Sequence, residues 1–133
     1  MTDLENIRQA LIEHSEVQLA VIFGSVARGA SGAASDIDVG VLLEPTLSVT
    51  SLTVRLARAT VRTVDVIDLQ RASPLLRFEA ARDGQVVLAR SPALWPDFRA
   101  RAMTDWWDWA PTGRAIEREA AARLRRQVGD GPA

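Results

Sequence analysis

The residues best able to do chemistry are Gly24-Ser25 and, ten residues further on, Asp36-Ile37-Asp38 inside an apolar run. Two aspartates two apart in a β-rich segment send both carboxylates from one face of a strand. Like charges side by side call for a cation. Hard oxygen donors suit Mg²⁺, which takes one or two protein carboxylates and completes its shell with water and phosphate oxygens. A nucleoside triphosphate is the natural third party. Gly24-Ser25 follows the apolar stretch from Val17 to Phe23 and precedes Val26-Ala27-Arg28, which reads as a turn from a strand into a short helix. Backbone N–H groups at such a helix start bind phosphate oxygens, with the helix dipole behind them. Gly24 allows close approach of the ligand, and the Ser25 hydroxyl adds a donor. Arg28 is a candidate contact for phosphate charge, with an ordinary surface role equally open.

The flanking sequence supplies elements to hold these groups. Thr2 and Glu5 form a capping box, and Leu4, Ile7, Leu11 and Ile12 recur at helical spacing, which predicts an amphipathic helix over 3–14. A strand over 18–23 and another over 36–43 bracket a Gly-, Ala- and Ser-rich connection at 29–34, and Pro45 ends the second strand. Leu52, Leu56 and Ala59 suggest a second long helix, and residues 63–69 a strand. Ser73-Pro74 reads as an N-cap followed by proline at the first helical position, and Asp83-Gly84 as a turn. Residues 85–89 form a short strand, and the remainder is helical with a break at Pro111-Thr112-Gly113. The expected fold is α/β (α+β): a small mixed sheet flanked by helices, with a C-terminal helical extension. The lone His14 lies near a helix end and reads as a capping or surface residue rather than a ligand.

Composition narrows the classes. A chain of 133 residues, 47% hydrophobic and 25% charged, fits one domain with one core. The formal net charge of −1 offers no global basic surface, which argues against direct nucleic-acid binding and a template-using polymerase. Without cysteine there is no disulfide or thiolate chemistry. The polar N-terminus lacks a secretory apolar segment, and no run reaches membrane-spanning length, so the cytoplasm is the expected location. All sixteen basic residues are arginine, a bias with no functional reading.

Gly-Ser, ten residues, then Asp-x-Asp resembles the signature of the DNA polymerase beta superfamily of nucleotidyltransferases. The segments Gly24-Ser25-Val26-Ala27-Arg28-Gly29 and Ser35-Asp36-Ile37-Asp38-Val39 are most similar to the minimal nucleotidyltransferase (MNT) proteins. The combined motif is far more specific than its pieces. The similarity spans about residues 1–110, an MNT-like domain, leaving 111–133 as a helical tail. The resemblance implies a third carboxylate on a later strand. Val64-Asp65-Val66-Ile67-Asp68-Leu69 offers two, and residues three apart on a strand face opposite ways, so Asp65 and Asp68 cannot both join Asp36 and Asp38. The residues alone do not choose between them, and the family pattern selects Asp65.

The resemblance implies two-metal nucleotidyl transfer. Asp36, Asp38 and Asp65 would hold one Mg²⁺ near the attacking hydroxyl, and Asp36 with Asp38 a second on the triphosphate of ATP. Attack falls on the α-phosphate, pyrophosphate leaves in line, and Asp65 could accept the proton. MNT proteins are commonly the antitoxin half of a toxin–antitoxin pair whose toxin is a HEPN-domain ribonuclease. The implied activity is transfer of AMP to a tyrosine hydroxyl of that partner. Two alternatives stand beside it: an antitoxin that neutralises its partner by binding alone, and transfer to a small molecule of aminoglycoside type, for which the chain has little room.

The C-terminal segment bears on the partner. Trp95, Phe98, Ala102, Met103, Trp106, Trp107, Trp109 and Ala110 cover about half of a helix circumference, more than one core contact needs. Either the rings seal a small domain, or an edge at Trp107 or Trp109 stays exposed as an interface. Beyond them, Arg114, Arg118, Arg123, Arg125 and Arg126 against Glu117 and Glu119 read as a solvated helix that could frame a partner surface. Residues 129–133 are expected to be loose.

Overall fold

A computed structural model describes residues 2–24 and 36–129. Four helices and four strands follow in the order α1 (Asp3–Ile12), β1 (Val17–Phe23), β2 (Ile37–Leu43), α2 (Val49–Ala57), β3 (Val64–Asp68), α3 (Pro74–Asp83), β4 (Gln85–Ala89) and α4 (Leu94–Gly129). The strands form one sheet in the order β3-β2-β1-β4. β1 runs antiparallel to both β2 and β4, and β2 runs parallel to β3. The expected mixed sheet with flanking helices is thus the observed architecture.

β1 is suited to its place inside the sheet, between β2 and β4, because six of its seven residues are apolar and both its faces are covered. On one side Val17, Ala20 and Ile22 meet Ile7 and Leu11 of α1 and Leu52 and Leu56 of α2. On the other, Leu19, Val21 and Phe23 meet Ala80 and Ala81 of α3 and Phe98 and Ala102 of α4. The change of parity coincides with a bulge between Val17 and Leu19. The sheet therefore separates two apolar layers, and each buried Leu, Ile or Val contributes about 1.5–3 kcal/mol to holding them.

Local signals set the helix starts. Thr2 and Glu5 make the reciprocal capping box, Ser48 caps α2, and Ser73 caps α3 ahead of Pro74. α2 is nine residues, shorter than expected, because its chain turns at Arg58. Arginines tie off loose ends: Arg90 donates to the carbonyls of Ile12, His14 and Val17, and Arg8 donates to the Val87 carbonyl on the edge strand β4. His14 sits at the end of α1, with its ring Nδ1 3.1 Å from a terminal nitrogen of Arg55. An arginine only donates, so the ring accepts.

The expected break at Pro111-Thr112-Gly113 does not occur: α4 is continuous for 36 residues, about 54 Å, with Pro111 inside it. Proline removes one helical hydrogen bond, to the carbonyl of Trp107. Trp107 is 77% exposed, so water can reach its turn. Two residues on, Gly113 makes room for the ring of Trp109, which a Cβ at 113 would overlap. Here the glycine serves ring packing rather than helix termination. No helix of the described residues is long and apolar enough to cross a membrane.

Candidate active site

Strand register decides which acidic groups meet. In β2, Ile37, Val39 and Val41 belong to the α1/α2 layer, which turns Asp38 to the α3/α4 side of the sheet. In β3, Val64 and Val66 pack in that same α1/α2 layer, which turns Asp65 the same way as Asp38. Asp38 pairs directly with Asp65 across the parallel ladder, and with Phe23 of β1 on its other side. Asp36 immediately precedes β2, two residues from Asp38 and of the same parity.

Asp68 goes elsewhere. It pairs with Val41 at the far end of β3, its Oδ1 accepts from the Gln70 backbone N–H at 3.0 Å, and Arg71 lies 3.9 Å away. It caps the turn that leaves the strand. The register thus separates the two alternatives that the sequence left open, placing Asp65 and not Asp68 beside Asp38.

Gly24 closes the third side. Its φ of +79° is a conformation that other residues adopt only with strain, and a Cβ there would fall 2.5 Å from Oδ2 of Asp38. The end of β1 therefore lies directly against the Asp38 carboxylate. Ser25 and Arg28, the other expected phosphate contacts, lie outside the described residues.

The electrostatics follow from this crowding. The carboxyl of Asp38 is raised above its ordinary value, first by burial and then by the charges of Asp65, Asp36 and Glu79. Among the described residues, all the charges acting on it are negative. Glu79, half-buried on α3, was not legible in the sequence as part of the site. It is one of two acidic residues on a short helix, and only the docking of α3 on β1 brings it near. Asp36 and Asp65 are exposed. Among the described residues, no three His, Cys, Asp or Glu side chains are clustered tightly enough to hold a metal ion. Asp38 and Asp65 share a face, and Asp36 adds its charge to their field: hard, anionic oxygen donors at one end of the sheet, where negative charge is costly without a cation. Such donors fit Mg²⁺ and the oxygens it bridges to.

The aromatic helix divides at one residue. Trp95 stacks on Phe98, and Trp106 stacks on Phe78 of α3 at 5.1 Å and lies 5.6 Å from Trp109. Trp109 is half-buried, so the exposed edge of the arc is Trp107.

Residues 5–93, about two thirds of the chain, match the family model described as polymerase beta, nucleotidyltransferase. No curated protein sequence matches the chain. Among solved structures, a toxin–antitoxin complex with AMP-PNP is 25% identical with a TM-score of 0.79, over 90% of this chain and 99% of that one. The toxin–antitoxin MntA-HepT is 24% identical with a TM-score of 0.72, over 90% and 97%. An MNT antitoxin in complex with a tri-AMPylated HEPN toxin of Shewanella oneidensis is also 24% identical with a TM-score of 0.72, over 90% and 96%. These likenesses carry the fold.

Proposed function

The chain belongs to the polymerase beta nucleotidyltransferase family, and from that membership we propose that it is an antitoxin that transfers AMP from ATP to a tyrosine hydroxyl of a HEPN-domain toxin. One observation carries the proposal: Asp38 pairs with Asp65 on one face of the sheet, against Gly24, in a field that Asp65, Asp36 and Glu79 make negative. The structural likeness to antitoxins, one with AMP-PNP and one bound to an AMPylated HEPN toxin, supports the choice of nucleotide and acceptor.

Asp36, Asp38 and Asp65 are the groups that would hold Mg²⁺, which when bound neutralises the triphosphate and lowers the pKa of the attacking hydroxyl. The chain's own work is positioning. Gly24 lets the backbone at the end of β1 approach the triphosphate, with Ser25 and Arg28 proposed as further phosphate contacts. The acceptor oxygen attacks the α-phosphorus, a new O–P bond forms, the bond to the bridging oxygen breaks, and pyrophosphate leaves with the electron pair. Asp65, exposed beside Asp38, takes the hydroxyl proton in this reading. Little covalent chemistry is asked of the protein, so orientation and charge supply most of the rate.

The test combines the chain with ATP, Mg²⁺ and a HEPN-domain protein encoded beside it, and reads the intact mass of the partner. Addition of AMP units by wild type and none by Asp38→Asn supports transfer; an unmodified partner with wild type refutes it. Neutralisation by binding alone is the second reading, favoured by the exposure of Trp107. It requires that the Asp36→Asn/Asp38→Asn variant neutralise as well as wild type.

A further inference from the structure

Beyond Gly113, α4 leaves its own domain. From Arg114 to Gln127 no residue is buried, and Ile116 and Leu124 are 60% and 62% exposed. A helix of this length is marginal in water without a face packed against something. Its charge is also unlike the rest. Five arginines and two glutamates lie between residues 112 and 129, in a chain whose formal net charge is −1.

The arginines are sorted by face. At 100° per residue, Trp107, Arg114, Arg118 and Arg125 fall within about 40° of one another, a stripe about 27 Å long. Arg123 pairs with Glu119 on another side at 3.3 Å. Among the described residues, no carboxylate forms an ion pair with Arg114, Arg118 or Arg125; Arg118 donates only to the Arg114 carbonyl, and Glu117 lies at the margin of the stripe. At the domain end, Trp107 and Arg114 flank a groove of about 270 Å³ whose other walls are Phe78, Trp106, Ala110 and Pro111. An apolar slot with a guanidinium at its mouth, continued by unpaired arginines, joins the two residue types that most often dominate protein interfaces.

We propose that this stripe is the docking surface for the partner protein: the partner inserts an apolar side chain into the groove beside Trp107 and lays carboxylates along Arg114, Arg118 and Arg125. The proposal rests on the HEPN-partner reading above and assigns where that partner binds, through residues other than the acidic group around Asp38. A protein fits better than a nucleic acid. The groove is apolar, two glutamates interrupt the basic helix, and the chain as a whole has no net positive charge to hold a polyanion.

The test measures affinity of the full chain for the HEPN-domain protein encoded beside it, in wild type, Trp107→Ala, Arg114→Glu/Arg118→Glu and Arg123→Gln. Truncating an anchor or reversing two rim charges is expected to weaken binding by at least about 10-fold, and wild-type binding to weaken with added salt. Arg123→Gln is expected to bind within about twofold of wild type, since it lies on another side of α4 from the stripe. Unchanged affinity in both stripe variants overturns the docking surface, even where wild type still adds AMP to the partner. Loss of binding in both, with no AMP added by any variant, upholds the surface and refutes the transfer. Loss by the charge-reversed variant of a short single-stranded RNA but not of the HEPN protein would also overturn it. So would dispersal of a homodimer by Trp107→Ala without effect on HEPN affinity.

Discussion

Replacing Asp38 by asparagine is expected to stabilise the protein while abolishing nucleotide transfer. Burial and three carboxylates make the folded Asp38 hold its proton more tightly than the unfolded chain does. The ionised form therefore weakens the fold at neutral pH. That cost is fully present above the raised folded pKa and is absent below the ordinary carboxylate range, where both states are protonated. Its size follows from the ladder. Paired residues on neighbouring strands lie about 4.8 Å apart. Asp65 and Asp36 are exposed, so the dielectric between them and Asp38 is close to that of water. One pair at about 5 Å then repels by about 0.8 kcal/mol, which salt reduces. Removing the Asp38 charge should gain about 0.5–1 kcal/mol, or roughly 2–4 °C in Tm for a domain of this size. Thermal unfolding at low salt, followed at pH 7 and near pH 3, is the assay. The gain should be present at pH 7, shrink at about 1 M salt and vanish at the acid end. A lower Tm for Asp38→Asn at pH 7, or an equal gain at both pH values, would show that the carboxylates do not repel one another as described.

Other substitutions test neighbouring claims. Gly24→Ala is expected to cost about 1–3 kcal/mol in urea unfolding, since it combines a φ of +79° with a Cβ pressed on Asp38 Oδ2; a neutral result would mean that β1 does not end against the carboxylate. Mg²⁺ with AMP-PNP should raise the Tm of wild type and leave Asp38→Asn unchanged, which thermal-shift titration reads directly. Trp106→Ala should cost about 2–4 kcal/mol through lost stacking on Phe78 and Trp109, whereas Trp107→Ala should stay within about 0.5 kcal/mol. Ending the chain after Ala115 removes only exposed helix, so Tm should move by no more than about 2 °C in a thermal melt.

The chemistry of this chain was legible early because its signals are local. Gly24, the ten-residue spacing and Asp36-Ile37-Asp38 lie within one hairpin-sized segment, and a period of two fixes the shared face of the two aspartates without any knowledge of the fold. Capping residues marked the starts of α1 and α3 for the same reason, since Thr2 with Glu5 and Ser73 with Pro74 act on the next turn only. The Pro111-Thr112-Gly113 break misled because proline and glycine report local cost. The packing of the Trp109 ring over Gly113 is a tertiary use of the same residue.

The rest needed distant segments to meet. Asp65 and Asp68 are equivalent by pattern, and only the parallel pairing of Asp38 with Asp65 set one beside the site and the other at a turn. Glu79 entered the field of Asp38 only through the docking of α3, and Trp107 became the exposed edge only once Trp106 and Trp109 had taken the contacts with Phe78 and Gly113. Sequence alone determined which candidate groups this protein carries, because side-chain chemistry and strand alternation are properties of neighbouring residues. Which of those groups stand together, and which aromatic ring is left facing solvent, was decided by register and helix docking, because these depend on how buried surface is shared across the whole chain.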